Sequence, residues 1–178
     1  MSIFVTDEDP RECAEALADQ HVRSQLSKTA RALTTALYRR SITGPLLGRP
    51  DKRGSRFADW AAEDWNHFQW LAFHGMALIE EHEYRFDKSH KDAAGVFAAG
   101  QIGYLMMDEV FSTPTEWPLP SHGDESSCVF DAYQNVLRDK YEKWGEAGRF
   151  ASWTNAYPPE WLASTGQVVH LDTEGPCS

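Results

Sequence analysis

Glu63, His67, His74 and Glu81 are the residues whose types and spacing suit proton transfer near neutral pH. All four lie in one stretch, Trp60 to Lys91, WAAEDWNHFQWLAFHGMALIEEHEYRFDKSHK. Up to Phe86 it has no proline and a single glycine, Gly75. That predicts one continuous helix of about seven turns, roughly 40 Å long. Wound at the helical period, the stretch has two faces. Ala61, Trp65, Phe68, Ala72, Met76, Ile79 and Phe86 read as core. Trp60, Glu63, His67, Trp70, Leu71, His74, Leu78, Glu81 and Arg85 read as a second face, where titratable groups alternate with Trp and Leu. A helix covered on both faces belongs at the centre of a bundle, its second face lining a polar cleft. The plainer alternative is a surface helix carrying the i,i+4 pairs Glu63/His67 and Glu81/Arg85.

The other chemistry legible here is anion binding. Arg85, Lys88, His90 and Lys91 bring four potential cations together. Ser89 and Asp92 then read as a capping box opening the next helix. Free amides and a helix dipole beside cations favour an anion, with phosphate the leading choice. A basic cluster with no ligand gives the same pattern. Arg49, Lys52, Arg53 and Arg56 make the glycine- and proline-rich loop 41–57 basic, suited to backbone phosphates or simply solvated. His21, after Asp19, opens another helix and joins the candidate acid/base set. Trp70 and Trp117 are the candidate base-stacking rings.

These groups need elements to hold them. The chain has 178 residues and seven tryptophans, enough for one domain with a core. The expected fold is all-α: a single-domain bundle of five or six helices with two long loops, about 41–57 and 112–127. Residues 1–163 form the domain and Ser2 to Thr6 an extended arm tucked into it. Residues 164–178 form a flexible tail. Helices are expected from Pro10 through Ala18, from Asp19 to about Arg40, across the central stretch, from Lys91 to Phe111 with a break near Gly100 or Gly103, and from Cys128 to about Gly145.

Net charge is −10, unevenly spread. Residues 21–56 hold nine Lys/Arg and one acid, whereas 57–178 hold seven Lys/Arg and twenty acids. A general nucleic-acid binder is disfavoured, but a local basic segment can still hold one polyanion. No apolar run is long enough for a membrane span, and MSIFVTDEDP does not read as a signal peptide. Three widely spaced cysteines with no CxxC suit a reducing cytoplasm. No P-loop, GxGxxG, HExxH, GxSxG, EF-hand or Glu-x-x-His motif occurs, so no cofactor and no metal is expected.

The segments IFVTDEDP, ADQHVRSQLSKTARALTTAL, WAAEDWNHFQWL, EEHEYRFDKSHK, TPTEWPLP and YPPEW together resemble a family of small, often phage-encoded all-helical proteins of poorly defined activity. His21, Thr29, Glu63, Trp70, Glu81, Arg85, Lys88 and His90 match its pattern. Gln20, Lys28, Ser55-Arg56-Phe57 and Asp87 stand where the pattern has lysine, an acid, His-Pro-Cys and glycine. LADQH also resembles the start of the pyrimidine-dimer DNA glycosylases, all-helical enzymes with an N-terminal amine nucleophile. Their catalytic Glu falls at Lys28 here, so that carboxylate does not carry over.

The functional expectation is a phage-type protein acting on DNA or a nucleotide, possible chemistries being base excision and DNA modification. Arg85, Lys88, His90 and the loop cations would hold phosphates. Glu63, His67, His74, Glu81 and His21 would move protons. The alternatives are a non-catalytic acidic protein that docks a basic partner or mimics DNA, and a mononucleotide-phosphate enzyme. The resemblance and the cysteines imply the cytoplasm of an infected or host bacterial cell.

Overall fold

The computed structural model describes residues 3–51, 55–105, 114–118 and 128–163. The described residues are all-α, with seven helices and no strand. These are α1 (Pro10–Glu15), α2 (Asp19–Arg39), α3 (Arg56–Glu63), α4 (Trp65–Phe86), α5 (Ala93–Leu105), α6 (Val129–Glu146) and α7 (Glu160–Ala163). Five of them are eight residues or longer, and α1 and α7 are single short turns. The tail 164–178, and Lys52 and Arg53 of the basic loop, lie outside the described residues.

Local chemistry sets most boundaries. Asp9 caps α1 by accepting the Arg11 amide, and Pro10 occupies the first turn, where no amide is needed. The stretch from Trp60 to Phe86 is two helices, contrary to the sequence expectation. Asp64 is extended (φ −139°, ψ 146°), ending α3 and capping α4 through a bond from the Asn66 amide. An Asp side chain that takes up a free amide competes with the helix that would run through it. Asp87, in the left-handed region (φ 48°), closes α4.

α5 runs unbroken through Gly100 and Gly103, where a break was expected. Gly103, and Gly75 in α4, serve close contact. A Cβ on Gly103 would fall 2.2 Å from the Phe68 ring, and one on Gly75 would fall 2.6 Å from Val96 Cγ1 and 3.0 Å from Thr29 Cγ2. Gly75 thus lets α2, α4 and α5 close on one another. Gly75→Ala is expected to destabilise by about 1–3 kcal/mol, since two β-branched neighbours must move. Gly145→Ala, in α6 with nothing within 4 Å, is expected to stabilise by up to about 1 kcal/mol. Thermal unfolding of the two variants checks both signs.

The core runs from the arm through α1, α2 and α4 to α6. Ile3 to Thr6 are all buried, without regular structure. Loop 41–51 folds back along α2, with Leu47 buried and the Asp51 amide donating to Thr35 Oγ1 at 2.8 Å. No helix of the described residues is long and apolar enough to cross a membrane.

Candidate functional site

The second face of α4 is the more buried one. Trp70, Leu71, His74 and Leu78 have no exposed surface, whereas Trp65, Ala72, Met76, Ile79 and Phe86 of the presumed core face are half-buried. The N-terminal segment covers it. Trp70 Nε1 donates to the Glu8 carbonyl at 2.7 Å, and His74 Nδ1 to the Pro10 carbonyl at 3.1 Å. Arg85 donates to the carbonyls of Glu15 (2.9 Å) and Leu17 (2.6 Å). The mixed pattern of rings and cations on this face is therefore a row of donors that receives the backbone of residues 8–17. Buried carbonyls must find partners, and α1 is too short to supply them itself.

Arg85 is 3% exposed. Beyond the two carbonyls it donates through Nε and Nη2 to Glu81 (both 2.7 Å) and through Nη1 to Asp19 (3.3 Å). A guanidinium has five N–H donors, and these contacts use them. Asp19 in turn accepts from Ser152 Oγ (2.9 Å), Thr154 Oγ1 (2.8 Å) and the Thr154 amide. The network ties α1, α2, α4 and the 152–154 turn together.

The other acid/base candidates are spread out. Glu63 is exposed at the end of α3. His67 stacks on Trp60 (4.4 Å, 10°) and donates to its carbonyl at 2.9 Å. His67, His74 and Glu81 succeed one another every seven residues, about 10 Å apart along α4, too far to meet at one reacting atom. His21 lies against α6, with Nδ1 2.9 Å from Tyr141 Oη. Burial holds His74 down at about 4, against the bond to Pro10 that favours its charge. Burial, with Lys140 and Lys28 nearby, holds His21 at about 3. Trp70 is fully buried, and Trp117 packs on Trp60 (5.7 Å), Trp70 (4.9 Å) and Phe130 (5.5 Å). Trp70 has no accessible face, and Trp117, half-buried, has one face stacked on Trp60.

Of the cation candidates, Lys88 is exposed and His90 half-buried. His90 packs edge-on against His82 (4.9 Å) and accepts the Asp92 amide on Nδ1 at 3.2 Å. Burial, then His82, lowers its pKa, opposed by Asp92. Arg56 is exposed at the start of α3. Arg49 of the loop enters a concave site. A groove of about 470 Å³ lies between α2, loop 41–51 and the first turn of α5, and Arg31, Arg49 and Lys91 line it. None of the three has an ion pair among the described residues. The carboxylate at the groove, Asp92, is taken up by Ser27 Oγ at 2.5 Å. Ala94 and Gly95 supply first-turn backbone there. Such amides have no acceptor inside their own helix.

The chain matches no family model, no curated protein and no solved structure. The groove's meaning therefore rests on its chemistry.

Arg31 was not among the residues singled out for the site, and Lys91 was named only within the cation cluster with Arg85, Lys88 and His90. Arg31 stands three residues after Lys28 on the side of α2 away from its apolar stripe, and Lys91 ends the basic run RFDKSHK. Spacing alone does not show that the loop returns to place Arg49 beside them. A separate cleft of about 400 Å³, against α1 and α7, is lined by Asp7, Glu12 and Glu15. Burial, then Glu81 and Glu12, raise the Glu15 pKa. No group of three or more His, Cys, Asp or Glu among the described residues is placed to hold a metal.

Proposed function

We propose that the protein binds phosphate groups of DNA or a nucleotide in the groove between α2, loop 41–51 and α5. One observation carries this reading. Arg31, Arg49 and Lys91, none of them ion-paired among the described residues, line one groove with Asp92 at the first turn of a helix. Arg groups match phosphate oxygens bidentately, and the helix start adds amides. The chain carries a net charge of −10, so on average the rest of its surface opposes a polyanion. Binding is then local, of modest affinity and steeply salt-dependent. The scattered acid/base candidates favour a protein that positions phosphates over one whose chemistry depends on Glu63, His67, His74 and Glu81 acting together.

Three phosphate contacts to a single strand correspond to a log–log salt slope of about −2. Anisotropy of a short labelled single-stranded oligonucleotide should show affinity falling roughly tenfold or more between 50 and 200 mM salt. A variant carrying Arg31→Ala, Arg49→Ala and Lys91→Ala should lose that binding. Unchanged binding by the variant, or none by the natural protein at 50 mM salt, would sink the reading. Competition by a mononucleotide at equal phosphate concentration would favour the nucleotide form over the polymer.

The acidic cleft supports a second reading, a docking site for a Lys/Arg-rich partner. That reading expects a basic peptide to bind, and Glu12→Gln with Glu15→Gln to weaken it.

A further inference from the structure

We propose that Lys28, Lys140 and His21 form a second binding site, for one oxyanion group of the phosphate or carboxylate kind, between α2, α6 and the arm 3–6. This stands independently of the groove. Both lysines address one aromatic ring: Lys28 Nζ is 5.7 Å and Lys140 Nζ 5.5 Å from the Phe4 centroid. The His21 ring lies 5.0 Å from that same ring and 5.1 Å from Trp144. Both lysines are half-buried, and neither meets a carboxylate among the described residues, in a chain with 27 acids. Half-burying two like charges without a counter-charge is unfavourable. Burial lowers both amines, and Lys140 lowers Lys28 further.

His21 supplies the observation that points to a ligand. Tyr141 Oη accepts the Ala18 amide at 3.2 Å and lies 2.9 Å from His21 Nδ1, and a hydroxyl hydrogen donated to Nδ1 satisfies both groups. Burial keeps His21 neutral, held down at about 3. A neutral imidazole that accepts on Nδ1 carries its hydrogen on Nε2. His21 is 3% exposed, and Nε2 is buried with no partner. In that tautomer the site offers one N–H and two ammonium groups, donors throughout. Such a set is complementary to an oxyanion and to nothing that must itself donate. Glu at position 28 would have made a different site, and Lys28 makes this one basic.

The test is thermal unfolding at matched ionic strength in chloride, inorganic phosphate and acetate. Phosphate, acetate or both should raise the melting temperature of the natural protein above its value in chloride, and the more effective anion names the ligand class. Lys28→Gln and Lys140→Gln should each abolish the part of that rise that persists in a chain whose groove cations are removed (Arg31→Ala, Arg49→Ala and Lys91→Ala), or weaken its apparent affinity about tenfold or more. Each should also melt higher than the natural protein in chloride, because it removes a half of the repelling pair. The groove variant by itself should keep that part of the anion response. In 15N-histidine spectra of the natural protein the His21 Nε2 resonance should shift on adding the effective anion. The proposal is overturned if neither anion exceeds chloride, if the groove variant shows no response, if the lysine changes leave the response of the groove variant intact, or if His21 Nε2 does not move.

Discussion

Arg85→Met is expected to lower folding stability by about 3–5 kcal/mol, the cost of breaking a buried, hydrogen-bonded charge network from one side. The change leaves the carbonyls of Glu15 and Leu17 without their donor, and the carboxylates of Asp19 and Glu81 without their cation. Arg85→Lys should also destabilise, since an ammonium has three donors and no planar fork. Urea unfolding measures both. The folded fraction of Arg85→Lys should bind an oligonucleotide as the natural protein does, because the guanidinium faces α1 and not the groove. A large loss of affinity with unchanged stability would instead place Arg85 on the ligand.

Acid is expected to have the second large effect. His21 sits near 3 and His74 near 4 in the folded chain, both held down first by burial. In the unfolded chain both take protons near 6.5. Above that pH both states are neutral at these positions, and the stability is fully present. As pH falls below 6.5 the unfolded chain gains protons that the folded chain refuses, so stability drops until the folded values are reached. The loss is roughly 3 kcal/mol or more for each imidazole by pH 4. The urea midpoint should therefore fall clearly between pH 7 and 4.5. His74→Gln keeps an N–H for the Pro10 carbonyl and cannot titrate, so its midpoint should fall less. Histidine titrations by NMR giving values near 6.5 for both residues would contradict this account.

The all-α architecture was legible because apolar spacing in α2, α4 and α6 follows the helical period, and buried faces leave that trace. The break at Asp64 was less so. It depends on one side chain taking an amide, with no proline or glycine to announce it. Gly100 and Gly103 misled in the opposite sense: the helix runs through both, and Gly103 is there to admit the Phe68 ring. The unusual face of α4 was recognised, but its partner was not. Trp70, His74 and Arg85 look the same in sequence whether they address a ligand or the carbonyls of Glu8, Pro10, Glu15 and Leu17. Periodicity says which residues share a face and not what covers it. For the same reason Arg49 was visible as a basic loop residue, whereas its meeting with Arg31 and Lys91 is a product of the chain's return path.

The most direct test of the groove is an amide and side-chain NMR map during titration with a short single-stranded oligonucleotide at low salt. The account predicts shifts concentrated at Arg31, Arg49, Lys91 and the first turn of α5, Ala93 to Val96, and reversed by added salt. Shifts gathered instead along α4 at His67, His74 and Glu81, or an unperturbed spectrum, would contradict it.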